Sequence, residues 1–186
     1  MSTYIFGYGS LINTASASRA LGRQIYAKDI FTAELHSYRR AWSLMEEVYS
    51  AHLERQITAV FLGVHVEIGS YLNGILIALR PGEIERLRLR EKNYDQVDVS
   101  SHIRSQRIDS EMDSVFTFVS AEKNRAPRHK TTDIFVLKEY VGVVSSGCKA
   151  LGEEFLRGFE MTTDQPSFEM IEGKYTFIDR EQAEYV

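Results

Sequence analysis

The chain of 186 residues is 44% hydrophobic and 26% charged, enough to bury a sizeable core and to fit one compact domain. A net charge of −4, with no Lys/Arg tract interleaved with aromatics, argues against a nucleic-acid partner and favours a small near-neutral or anionic ligand. No apolar run approaches the roughly 20 residues that span a bilayer, and the N-terminus reads as a strand rather than a charged leader, so no membrane partner and a soluble, cytoplasmic protein are expected.

Residues 3–6 read as a short apolar strand. The run after it, Phe6-Gly7-Tyr8-Gly9-Ser10-Leu11-Ile12, breaks that strand at glycine and leads into a helix-like segment, 15–21, with Gly22 placed as its C-terminal cap. Gly7 and Gly9 accept φ > 0 without steric cost. The N–H groups of Gly9, Ser10 and Leu11 can then be turned toward one point, making a cup for a carboxylate or an oxyanion. The competing reading is a plain tight strand exit. A dinucleotide fingerprint fails at Ile12, and no Lys-Ser/Thr pair follows to make a phosphate loop. Ser10 is no nucleophile elbow, because Tyr8 and Ile12 stand where glycines are needed.

Segments 31–35 and 38–44 alternate apolar and polar residues and read as strands, while 46–54 is polar and of unclear type. Arg39-Arg40 and Glu46-Glu47 read as solvated strand-end charges, with Arg39 or Arg40, beside Trp42, alternatively bordering a cleft. Segments 57–66 and 71–79 read as two strands turned at Gly69-Ser70 into an antiparallel pair. His65 and Glu67 share a strand face without a third ligand in register, and His36, His52, His102 and His129 show no ligand spacing, so no metal is expected. Pro81 suits the first turn of a helix running to about Lys92. Short strands are expected over 97–100 and 115–119, and a polar surface loop, with Pro127, over 121–132. Segment 133–151 reads as one long helix, and its lone Cys148 as an ordinary buried small residue. Residues 153–159 continue helical, and the remainder from Met161 reads as an irregular tail with one weak strand over 175–178. Strands grouped early, with helices inserted and added late, indicate an α+β domain on a curled, mostly antiparallel sheet.

One carboxylate breaks the pattern. On the helix after Pro81, Ile84, Leu87 and Glu91 share a face, while Glu83, Glu85, Arg86 and Arg90 lie mainly elsewhere. Burial disfavours the charged form of a carboxylate, which suits it to act as a general base near neutral pH. The alternative leaves Glu91 at a fraying helix end, paired with Arg88 or Lys92 in solvent. Tyr94, three residues on, is either a hydrogen-bond donor to Glu91 or plain core.

Taken together, the Phe6–Ile12 run, Arg39-Arg40-Ala41-Trp42, Asn73-Gly74 within a strand and Leu89-Arg90-Glu91-Lys92-Asn93-Tyr94 resemble the γ-glutamylcyclotransferases, in motif and in order. The Phe-Gly-Tyr-Gly-Ser-Leu-Ile and Arg-Glu-x-x-Tyr forms are most similar to the ChaC-type, glutathione-acting branch; other branches usually carry Asn where Leu11 stands. The likeness covers about residues 3–100. Tyr140 and its following segment resemble the family's late tyrosine-bearing helix more loosely, without the Pro-Ser lead of one branch, and residues 161–186 match nothing in the family. The resemblance implies a single compact α+β domain with a small barrel-like sheet and flanking helices. It also implies closure of a γ-glutamyl group to 5-oxoproline with release of the attached amine or peptide, needing no metal or organic cofactor. Glu91 would be the catalytic base, and Tyr8, Gly9, Ser10, Leu11, Tyr94 and Tyr140 would bind the small-molecule γ-glutamyl substrate. Glutathione leads as substrate, γ-glutamyl amino acids and amines stay open, and a binding protein without turnover is the reading from another class. Oligomeric state is left open.

Overall fold

The computed structural model describes residues 2–106, 108, 113–126 and 133–185. The chain starts with strand β1 (Thr3–Gly7), a single helical turn (Ser10–Ile12) and helix α1 (Thr14–Leu21). Asn13 caps α1: its side chain accepts from the amides of Ala15 and Ser16 at 3.0 and 3.1 Å, satisfying two of the donors a helix start leaves open. Gly22 ends it in the left-handed region, φ 67°, as its position predicts.

Two long strands, β2 (Ile30–Ser50) and β3 (Arg55–Ala78), form an antiparallel hairpin that is the spine of the fold. Each of the four shorter strands expected here is half of one of these. Gly69-Ser70 therefore does not reverse the chain. Gly69, at φ 88°, and Ser37 opposite, at φ 64°, sit where the register shifts between His36 and Tyr38. The extra residues make an irregularity in one continuous ladder, and the reversal falls at 51–54, inside the segment of unclear type. The run Ile75-Leu76-Ile77 is buried throughout because β1 pairs beside it and both sheet faces are covered. Each such side chain contributes about 1.5–3 kcal/mol on burial.

Helix α2 (Glu83–Arg90) ends one residue before Glu91, shorter than expected. Strands β4 (Tyr94–Asp98), β5 (Ile103–Arg104), β6 (Ser114–Ser120) and β7 (Ile134–Leu137) follow, then helices α3 (Lys138–Ala150) and α4 (Glu153–Met161), strands β8 (Glu169–Ile171) and β9 (Tyr175–Phe177), and helix α5 (Arg180–Ala183). The expected helix over 133–151 thus begins as a strand, because Ile134-Phe135-Val136-Leu137 is β-branched and aromatic and pairs in parallel with β3. The tail is more ordered than its sequence suggests. It adds β8 beside β7, lays β9 against the far end of β2 and places α5 beside α2. Pro127 and His129, within the loop expected over 121–132, lie outside the described residues.

The main sheet path runs β4-β6-β1-β3-β2-β5, with β7 and β8 continuing from β3 and β9 from β2. The long hairpin pairs antiparallel, whereas β1–β6, β3–β7 and β7–β8 are parallel. The sheet is therefore mixed and curled into a half-barrel with helices packed against its strands, an α+β architecture.

Candidate active site

The glycine loop crosses the sheet end next to the first turn of α3. Neither Gly7 nor Gly9 has a positive φ, so the left-handed backbone anticipated for the cup is absent. Space is what these positions require. A Cβ on Gly9 would stand 2.9 Å from the Tyr140 hydroxyl, and one on Gly7 would stand 2.9 Å from Leu11 Cβ. The amides of Gly9, Ser10 and Leu11 open the Ser10–Ile12 turn and find no backbone acceptor among the described residues.

Tyr8, Gly9, Ser10, Leu11, Glu91, Tyr94 and Tyr140 border one cavity of about 40 Å³. An adjoining cavity of about 70 Å³ shares Ser10, Glu91, Tyr94 and Tyr140 and extends to Glu46, Phe61, Tyr175, Phe177 and Gln182. The structure thus brings together all seven residues singled out from the sequence. Glu91 reaches this place from the C-terminal end of α2, where its amide still donates to Leu87 O at 2.8 Å. Leu87, one turn back, is fully buried, so the apolar stripe delivers the carboxylate into the interior. Its side chain is 17% exposed and pairs with Arg90, Nη1 to Oε1 at 3.1 Å. The solvent pairings do not occur: Arg88 bonds Glu85 and Gln96, and Lys92 bonds Asp179.

Burial raises the pKa of Glu91 above the usual carboxylate range, and the Arg90 charge opposes that rise without cancelling it. The surrounding tyrosines are held neutral by the same desolvation. Tyr8 donates to Phe118 O at 2.5 Å and Tyr94 to Leu62 O at 2.9 Å, so Tyr94 spends its proton on the backbone rather than on Glu91. Tyr140 packs edge-on against Phe61 and Trp42, with centroids at 4.8 and 6.0 Å.

No family model matches the chain, and no curated protein matches it significantly. Solved structures do: a γ-glutamyl cyclotransferase superposes with a TM-score of 0.58 over 92% of this chain and 94% of its own, at 11% identity. The protein has the γ-glutamylcyclotransferase fold. A γ-glutamyl cyclotransferase specific to glutathione from yeast superposes at 0.50, over 90% of this chain and 100% of its own, at 13% identity. YkqA from Bacillus subtilis gives 0.59 over 86% of this chain at 19% identity, and the chain spans 53% of that protein's length. At these identities the likeness is one of fold.

Within this cyclotransferase-like fold, four features escaped the sequence reading, three of them at the site. Arg90, assigned off the buried face, is 5% exposed and links the acid to the loop, donating to Ser10 Oγ at 2.9 Å while it pairs with Glu91. Glu46 is not a solvated strand end but 6% exposed, on the inward side of β2 between buried Leu44 and Val48; Glu47 is the exposed one. That i, i+2, i+4 alternation was the available signal. Arg40 is likewise no solvated charge. It is fully buried over the Phe159 ring, donates to Asn73 O and to Thr163 Oγ1, and borders no cleft at the site. Burial lowers its pKa to about 9, which keeps it charged at neutral pH. Arg39 pairs with Asp164. The fourth feature is the tail, whose Tyr175, Phe177 and Gln182 wall the larger cavity. His65 contacts Glu67 at 3.6 Å, with no third metal-type ligand among the described residues. Cys148 is fully buried, its thiol pushed up to about 11 by desolvation.

Proposed function

We propose that the protein is a γ-glutamylcyclotransferase that converts a γ-glutamyl amide to 5-oxoproline and a free amine. The observation that carries this reading is a single cavity lined both by Gly9, Ser10 and Leu11, whose amides find no backbone acceptor among the described residues, and by a partly desolvated carboxylate, Glu91.

In this reaction the substrate's α-ammonium must lose a proton before its nitrogen can attack. Glu91, its pKa raised by burial, is a stronger base than an ordinary exposed carboxylate. The α-nitrogen then bonds to the γ-carbon of the same glutamyl group, and the developing oxyanion is met by backbone N–H groups. Collapse breaks the γ-carbon to nitrogen bond of the leaving amide. The α-nitrogen loses two protons on becoming a lactam N–H, and the leaving nitrogen gains two on becoming an ammonium. Glu91 therefore relays protons between them, with no water consumed. Because nucleophile and electrophile belong to one molecule, much of the catalytic effect comes from holding the chain folded in near-attack geometry, worth about 7–11 kcal/mol in the best cases.

Glutathione, giving Cys-Gly, is the first substrate to assay, because the paired motifs resemble the ChaC-type branch. The test incubates the protein with glutathione and a panel of γ-glutamyl amino acids and amines and identifies products by mass spectrometry. Release of 5-oxoproline that Glu91→Gln abolishes supports the reading. A linear glutamate product, or undiminished turnover in a folded Glu91→Gln variant, contradicts it.

A further inference from the structure

A third cavity is larger than either part of the candidate active site, and the mechanism above has no use for it. It measures about 190 Å³, against about 40 and 70 Å³ for the two parts that share Glu91. Trp42 and Leu62 from the long hairpin, Val144 from α3, and Leu156 and Phe159 from α4 make its apolar lining. Neither Glu91 nor any residue of the glycine loop borders it. The two sites share a wall instead: Leu62 borders the smaller catalytic cavity as well, and Trp42 packs edge-on against Tyr140, with centroids 6.0 Å apart. Protein interiors leave few voids larger than one water molecule, and an apolar cavity of about 150 Å³ admits a benzene-sized guest. The space beside Trp42 therefore has room for one aromatic ring.

The charge at its border narrows the ligand class. Two carboxylates, Glu160 and Asp164, border the cavity, and no lysine, arginine or histidine does. Asp164 is paired with Arg39. Glu160 has no hydrogen-bond or ion-pair partner among the described residues. It is exposed, whereas Leu62, Val144 and Phe159 are buried, so the charge stands on the solvent side of an apolar interior. A ring suits the interior, and a cation one short alkyl link away suits the carboxylate. We propose that this cavity is a second ligand site, separate from the catalytic one, that takes an arylalkyl amine, with the ring against Trp42 and Phe159 and the ammonium at Glu160.

Trp42 is the only tryptophan of the chain, so its emission reports occupancy directly. The experiment titrates the protein at low ionic strength with phenethylamine and, separately, with 3-phenylpropanoate, which carries the same ring and an opposite charge. Phenethylamine is expected to give a saturable change in emission, with half-saturation at about 1 mM or below, as a ligand of this size allows. It is expected to bind at least about fivefold more tightly than 3-phenylpropanoate. Ser145, half-buried on α3, also borders the cavity; Ser145→Phe fills the space and is expected to abolish the saturable change. Glu160→Gln is expected to bring the two affinities within about twofold, and its exposed position keeps the test in hand should Ser145→Phe not fold. A strictly linear, collisional quench overturns the proposal, as does equal or tighter binding of 3-phenylpropanoate. So does saturation unchanged in a folded Ser145→Phe protein, or a charge preference unchanged in Glu160→Gln. Because emission and not turnover is read, the outcome is independent of the cyclotransferase reading.

Discussion

Two glycines in α3 should respond to the same substitution with opposite signs. Gly147 lies against the backbone of the glycine loop: a Cβ there would stand 2.6 Å from Asn13 N and 2.8 Å from the Ile12 carbonyl carbon. Ordinary contacts begin near 3.4 Å, so Gly147→Ala must push α3 away from the loop by roughly 0.8 Å. Backbone on both sides cannot rotate aside as a side chain would. Overpacking of this kind costs about 1–3 kcal/mol, and for a chain of this length each kcal/mol lowers Tm by about 2–4 °C. The helix also carries Tyr140 to the loop, and a misplacement near 1 Å in a catalytic constellation costs about 100-fold in rate. Gly142, on the same helix, has nothing within 4 Å of its would-be Cβ. There Gly→Ala lowers unfolded-chain entropy and improves helix propensity, stabilising by about 0.4–1 kcal/mol. Thermal melts paired with 5-oxoproline release decide the matter. Similar melting shifts for the two variants, or a Gly147→Ala protein with full activity and unchanged Tm, would refute the claim that this close approach sets the site.

Three further outcomes follow from the buried charges. Because burial raises the folded pKa of Glu91, its contribution to stability is complete below its unfolded pKa and is lost as pH rises through the folded value; the Tm of wild type minus that of Glu91→Gln should therefore fall as pH rises from acid to neutral, and a flat difference would exclude the desolvation. The Arg90 charge lowers the pKa of Glu91, so Arg90→Met should move the acid limb of the kcat/KM profile to higher pH, an unmoved limb showing that the pair does not tune the base. Arg40→Met should destabilise by about 3 kcal/mol or more by chemical denaturation, because Asn73 O, Thr163 Oγ1 and Phe159 O lose a charged donor in the interior; a loss below about 1 kcal/mol would mean the guanidinium is replaceable by apolar packing.

What the sequence disclosed was local. The glycine loop, the helix over 15–21 with its Gly22 cap and the acid at the end of the apolar stripe of α2 each follow from contacts within one turn of chain, and each is present in the fold, the loop without the left-handed glycines expected of it. The failures share a cause in tertiary pairing. Gly69-Ser70 looked like a reversal because turn chemistry and bulge chemistry use the same residues; only the partner strand distinguishes them. Residues 134–137 passed for helix until β3 supplied an edge. Arg90 and Arg40 are charged residues whose burial depends on partners 80 and 33 positions away, Ser10 and Asn73. The tail gave no motif because Tyr175, Phe177 and Gln182 act as walls, and a wall has only composition to show.

A crystal structure of the folded Glu91→Gln variant with a γ-glutamyl amide bound tests the central claim most directly. The substrate's α-nitrogen is expected within about 3 Å of the residue 91 side chain, with its γ-carbonyl oxygen turned to the Gly9, Ser10 and Leu11 amides. A substrate seated with its amine away from residue 91, or its carbonyl away from that loop, would contradict it.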